Sequence, residues 1–172
     1  MARNGLCGSF ESARVVFARW KQGKIRVRKK LFDPLRRLEV AASPEERVRQ
    51  QLVDWLQREA NVPGRLIAVE YALSRLVPGC RKRADVVVWR PGMASGGAGE
   101  TPGGLEPWLL AECKAPGVKL TEAVADQVRG YAATVRAAHV LITNGAETLV
   151  YRAGPERYEP CPALPRYAPP PG

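Results

Sequence analysis

Three apolar runs follow one another between two segments of helical period, and that order leaves few folds open. RLIAVEYAL (65–73), RADVVVW (83–89) and PWLLAECKA (107–115) each have the length and composition of a buried strand. Before them, SPEERVRQQLVDWLQREA (43–60) repeats Val48, Leu52, Trp55 and Leu56 at helical spacing. Ser43 suits an N-cap, Pro44 the first helical position, and Glu46 completes an S-x-x-E capping box. NVPG at 61–64 should end that helix near Asn61. After the strands, TEAVADQVRGYAATVRAA (121–138) is Ala-rich, has Thr121 as a cap, and repeats Val124, Val128, Tyr131 and Val135. HVLIT reads as a buried strand, Asn144-Gly145 as a turn and ETLVYR as a further strand. The predicted order is α-β-β-β-α-β-β, an α/β fold with a mixed central sheet.

The flanks are different in kind. Residues 1–28 show no period and read as a loose basic extension, and the folded part is expected over 29–167, with KKLFDPLRRLEVAA leading into the first helix. The segment 91–106, PGMASGGAGETPGGLE, reads as a flexible hairpin loop, and the Pro-rich end as mostly extended, with 168–172 a tail. Residues 1–40 hold eleven Lys or Arg against Glu11, Asp33 and Glu39, which is +8 of a net charge of +10. Such a segment condenses on polyanions, although a solvated tail has the same composition. Cys7, Cys80, Cys113 and Cys161 form no CxxC pair, and His139 is the single histidine, so a structural zinc site is not expected. The chain shows neither an apolar membrane span nor a secretory leader, which makes a cytoplasmic protein the expectation.

Chemistry enters where acids interrupt apolar strands. Glu112 and Lys114 in E-C-K fall on one side of their strand, with Trp108 and Leu110, by simple alternation. Asp85 shares its side with Val87 and Trp89. If the two strands are neighbours, the carboxylates of Asp85 and Glu112 converge, and a divalent cation compensates both. The main-chain carbonyl of Cys113 can supply a third oxygen, and Lys114 can orient water or stabilise phosphoryl charge. A purely structural reading instead pairs Asp85 with Lys114 in a buried ion pair. Glu45 lies within the Val48–Leu52–Leu56 stripe on a helical wheel, so it is expected to look into the site, while Glu46 points elsewhere; dipole stabilisation is the plainer role for Glu45. Gln127 and Tyr131 are an i,i+4 pair on the inner side of their helix, where Gln127 can hold a water or phosphate, or where Tyr131 is merely core. Lys82 and Arg83, with Tyr131, are candidate contacts for a nucleic-acid partner.

Taken in order, SPEERVRQ, the VE at Glu70, RKRADVVVW, PWLLAECKAP, DQVRGYA and VLITNG resemble the N-terminal domain of type I restriction enzyme R subunits, of the PD-(D/E)XK nuclease superfamily. The likeness runs from about Lys30 to about Tyr167. It implies a restriction-endonuclease-like α-β-β-β-α-β core, DNA as substrate and Mg²⁺ as cofactor, with Mn²⁺ a substitute. It matches Asp85 to the motif aspartate, Glu112 and Lys114 to E-x-K, Glu45 (with Glu46 its rival) to the first-helix glutamate, and Gln127 and Tyr131 to Q-x-x-x-Y. Asp85, Glu112 and the Cys113 carbonyl are then the metal ligands, and Glu45, Asp85, Glu112, Lys114 and Gln127 the catalytic set. Glu70 also falls where the family tends to have glutamate, and no role follows for it.

Two departures qualify this expectation. The sequence has no G-x-x-x-x-G-K-[ST], so an ATP-driven motor would have to come from a separately encoded helicase or specificity partner. The 91–106 loop is also longer than the family's hairpin. The expected activity is metal-dependent phosphodiester hydrolysis, alone, as a homodimer or beside such a partner; the alternative is a non-catalytic DNA-binding or assembly module that keeps the fold. In either case deletion of residues 1–28 should weaken DNA binding and flatten its salt dependence in a titration, because phosphate contacts position without specifying. Unchanged affinity at low salt would reduce the leader to a tail.

Overall fold

In the computed structural model, residues 29–92 and 104–168 are described. The first helix, α1 (Pro44–Arg58), starts as its caps dictate: the Ser43 hydroxyl accepts the Glu46 amide at 3.0 Å and Pro44 occupies the first turn. The capping box is only half made. The Ser43 amide donates to the Ala41 carbonyl at 2.8 Å, which leaves the Glu46 carboxylate free for other partners. The helix ends at Glu59, and Asn61 follows with φ at 61°.

Six strands form one sheet in spatial order β3 (Ile67–Ala72), β4 (Arg83–Pro91), β5 (Leu105–Cys113), β6 (His139–Thr143), β7 (Thr148–Ala153) and β8 (Tyr158–Pro160). All neighbours are antiparallel except β5 and β6, which the crossover helix α2 (Glu122–Thr134) joins in parallel. The expected α/β class and mixed sheet are present, the expected order runs from α1 to β7 with β8 added in the segment expected to be only extended, and the architecture is compatible with a restriction-endonuclease-like core. α1 packs Val48, Leu52 and Leu56 with Val86, Val88, Leu109 and Ala111. α2 packs Ala125, Val128 and Ala132 with Val87, Leu110, Val140 and Ile142. Consecutive residues of β4 and β5 thus feed opposite clusters, so the middle strands are apolar on both faces, as a sheet covered by helices on both sides requires.

Three further features depart from the sequence expectation. A hairpin, β1 (Lys30–Asp33) and β2 (Leu38–Ala41), precedes α1 where only a lead-in was expected. Its turn is made by Asp33, whose carboxylate accepts the amides of Leu35 and Arg36 at 2.8 and 3.0 Å. Second, Trp108 does not share the side of Leu110 and Glu112. The pairing passes from Val88–Leu109 to Trp89–Pro107, and this bulge places Trp108 with Leu109 in the α1 cluster. Third, β4 and β5 run further than expected, to Pro91 and from Leu105, and the Gly92 amide closes onto the Gly104 carbonyl at 2.6 Å. Most of the expected 91–106 loop, and all of the 1–28 extension, lie outside the described residues.

The segment after β8 crosses the α1 side. Leu164 and Tyr167 are buried, the Tyr167 amide reaches the Ala60 carbonyl at 2.7 Å, and the Tyr167 ring meets Trp108 edge-on at 5.2 Å. Among the described residues no helix is long and apolar enough to cross a membrane. The Tyr167 hydroxyl is buried without a hydrogen-bond partner among the described residues. Tyr167→Phe should therefore leave stability unchanged or slightly higher, whereas Tyr167→Ala should cost ~3–5 kcal/mol in denaturant unfolding.

Candidate active site

The register of β4 and β5 decides what meets at one end of the sheet. Val86 pairs with Ala111, and one step further lie Asp85 and Glu112. Asp85 also lies across from Glu70, which falls between the pairs Val69–Val86 and Tyr71–Ala84 of β3 and β4. Glu70, Asp85 and Glu112 thus form a row over three adjacent strands. The simple alternation expected for Asp85, Val87 and Trp89 slips here: Ala84 and Val87, three apart, pack in the same cluster.

Each acid in the row has distinct partners. One Asp85 oxygen accepts the Cys113 amide at 2.6 Å, and the other lies 3.5 Å from Nη1 of Arg49 on α1. Glu112 accepts the Lys114 ammonium at 2.7 Å on one oxygen and the Tyr131 hydroxyl of α2 at 2.8 Å on the other. Glu70 accepts from Arg49 and, at 3.0 Å, from Arg83. Lys114 therefore neutralises Glu112, and the simple Asp85–Lys114 pair considered from sequence is not the arrangement found. The Lys114 amide bonds to the Thr143 carbonyl at 2.8 Å, so its backbone is fixed although the strand has ended. Asn144 ties the following loop down through a bond to the Val118 carbonyl at 2.9 Å.

The electrostatics single out Asp85. Burial pushes its carboxyl up to about 6, and nearby Glu112 and Glu70 push the same way against the Cys113 amide and Arg49. Glu70 moves oppositely: burial raises it, but its bonds to Arg49 and Arg83 more than offset that and hold it below the usual range. Burial, with Glu112 beside it, raises the Tyr131 hydroxyl, so it remains a donor to Glu112.

Other expected residues fall differently. Glu45 is exposed, whereas Glu46 is only 4% exposed and bonds to Arg49, Arg36 and Gln50. The expectation that Glu45 looks into the site and Glu46 points elsewhere is therefore reversed: the hairpin, through Arg36, and Arg49 enclose Glu46, and Glu45 is left to solvent. The buried line of α2 is Ala125, Val128, Ala132 and Val135, with Tyr131 half-buried at its edge and Gln127 exposed. Lys82 is exposed, and Arg83 is exposed while paired to Glu70. Arg49 is the residue that sequence reasoning passed over, and Glu46, there only a rival to Glu45, is the acid that holds it. The signal was a second line, Glu46, Arg49 and Val53, beside the apolar stripe, with opposite charges at i and i+3.

Among the described residues, no three His, Cys, Asp or Glu side chains group closely enough to hold a metal. Asp85 and Glu112 are two hard oxygen donors, the kind that suits Mg²⁺ when waters complete its shell. A buried acid whose folded-state value stands above its ordinary 3.8 stabilises the fold as the neutral form, fully present below about pH 4 and lost as pH rises through about 6. At neutral pH the ionised Asp85 is therefore a liability to the fold. Asp85→Asn should raise the melting temperature in EDTA at neutral pH, by up to ~3 kcal/mol equivalent, and the gain should shrink below about pH 5. An unchanged melt across that range would remove this account of Asp85.

The chain matches the family model of the type I restriction enzyme R protein N terminus over residues 44–165. No curated protein matches it. The matched stretch opens at α1 and runs through the whole six-stranded sheet, so it takes in every element that contributes to the carboxylate row. With about 70% of the sequence matched, the chain belongs to the family of type I restriction enzyme R protein N termini.

Proposed function

We propose that the chain hydrolyses DNA phosphodiester bonds as a Mg²⁺-dependent nuclease of the PD-(D/E)XK type, with Mn²⁺ able to substitute. Asp85, Glu112 and the main-chain carbonyl of Cys113 would hold the metal. The observation that carries this reading is the placement of Asp85 beside Glu112 on neighbouring strands: burial and Glu112 raise the Asp85 carboxyl even with Arg49 3.5 Å away, so the pair can take further positive charge. A bound divalent cation supplies that charge, polarises the phosphoryl oxygen and lowers the pKa of a bound water.

The remaining work falls to the protein's own side chains. Tyr131 holds one Glu112 oxygen, which fixes the carboxylate plane. Lys114 holds the other with one of its ammonium hydrogens, and two hydrogens remain to meet charge that develops on phosphate. Lys114 is about a third exposed, so substrate can reach it. Lys82 and Arg83 lie beside Asp85 at the exposed start of β4, where cations meet backbone phosphates. Gln127, exposed on α2 one turn before Tyr131, is free to hold a water or phosphate among the described residues. Family membership supports DNA and the other subunits of a restriction complex as partners, with translocation supplied by a motor.

A second reading has its own observation. Every carboxylate of the row is met by a protein cation within 4.0 Å, which a non-catalytic module retaining the fold would also require. Cleavage of linear and circular DNA by purified protein in Mg²⁺, Mn²⁺ or EDTA separates the two. On the nuclease reading, Lys114→Ala should remain folded, bind Mn²⁺ and DNA, and cut on the order of 10²–10³ more slowly in single turnover. A variant that cuts normally, or one that unfolds, would sink this role for Lys114.

A further inference from the structure

Arg49 is 7% exposed and projects from α1 toward the carboxylate row. Its Nη2 binds Glu46, its Nη1 binds Glu70 and also lies 3.5 Å from Asp85, and its Nε is buried with no partner among the described residues. One guanidinium thus serves three acids from three elements. The Asp85 contact is the loosest of the three, because the Nη1 that makes it is already committed to Glu70.

Glu70 sits in the middle of β3 with φ at 52°, in the left-handed region that a non-glycine residue occupies only under constraint. A regular strand residue would project its side chain by simple alternation. The turn in the backbone instead brings the Glu70 carboxylate to Arg49 and Arg83. Glu46 is available for Arg49 because the Ser43 amide takes the Ala41 carbonyl rather than closing the capping box. The unusual backbone of Glu70 and the half-made capping box thus each leave an acid to hold the same guanidinium against the row.

We propose that Arg49 is a resident counter-cation of the carboxylate row, clamped by Glu46 and Glu70, which offsets part of the Asp85 charge in the absence of a divalent ion and opposes the ion's binding. This rests on the metal reading above, and it adds that the two charges are antagonistic: whatever Arg49 gives Asp85, an incoming cation must replace. The Nη1–Asp85 contact opens when the ion binds, while Glu46 and Glu70 keep the guanidinium in place. By linkage, removing Arg49 destabilises the protein without metal more than the protein with it.

Calorimetric titration of Mn²⁺ into wild type, Arg49→Gln and Arg36→Gln tests this, with melting curves in EDTA and in Mn²⁺. Two charges about 4 Å apart at a partly buried site influence each other strongly, so Arg49→Gln should bind Mn²⁺ at least ~10-fold tighter. It should also melt lower than wild type in EDTA and gain more from Mn²⁺. Arg36→Gln, which loses a cation from Glu46 but none from Asp85, should stay within about threefold of wild type, as expected for a more distant, screened charge. Equal or weaker binding by a folded Arg49→Gln overturns the proposal. If wild type binds no Mn²⁺ and Arg49→Gln does, the proposal stands and the metal reading of the native site falls; if neither binds, both fall. Should Arg49→Gln not fold, side-chain NMR of wild type decides: the Arg49 Nη resonances should move as Mg²⁺ saturates, and fixed resonances at saturation overturn the proposal.

Discussion

Carboxylates placed side by side at the end of a buried sheet repel one another and lose their hydration, and the fold around them is arranged to offset that cost. The β4–β5 register sets Asp85 beside Glu112, and the β3–β4 register sets Glu70 across from Asp85. Four cations answer from four parts of the chain: Arg36 in the hairpin turn, Arg49 on α1, Arg83 at the start of β4 and Lys114 just past β5. Buried charges of this kind are costly to strand, on the order of 3–5 kcal/mol when one partner of a pair is lost. The hairpin therefore matters to the site although it touches none of the row directly. Asp33 fixes Arg36 at 2.5 Å, Arg36 reaches Glu46, and Glu46 holds Arg49.

The parts of this arrangement that were legible in the sequence are those set by local pattern. The Ser43-Pro44 start fixed the first turn of α1, the apolar runs marked the central strands, and E-C-K predicted a Glu112 and Lys114 on one side, which the 2.7 Å bond between them bears out geometrically. What was not legible depends on backbone irregularity or on distant chain. A bulge opposite Val88 reversed Trp108, and no pattern in PWLLAECKA announces it. A left-handed Glu70 in a strand of otherwise ordinary composition gave no signal either. The choice between Glu45 and Glu46 turned on Arg36, ten residues before Glu46 in a hairpin built on an Asp33 turn that reads as part of a basic lead-in.

Lys114 and Arg49 show how chemically different cations are used at one site. Lys114 sits on a flexible stem, about a third exposed, with one bond to Glu112; it is a point charge that can shift between carboxylate and another anion. Arg49 is a planar fork, almost wholly buried, with two carboxylates fixing its orientation. Exchanging the two residues would serve neither place. A lysine at 49 could not span Glu46 and Glu70 while approaching Asp85, and an arginine at 114 would tend to lock onto Glu112 bidentately. On the proposed reading this division has a reason: the cation that must respond to charge developing on phosphate is the mobile, solvent-reachable one. The cation that only has to keep acids together before metal and DNA arrive is the rigid one, placed where water has little access and where its anchors, rather than the site, hold it.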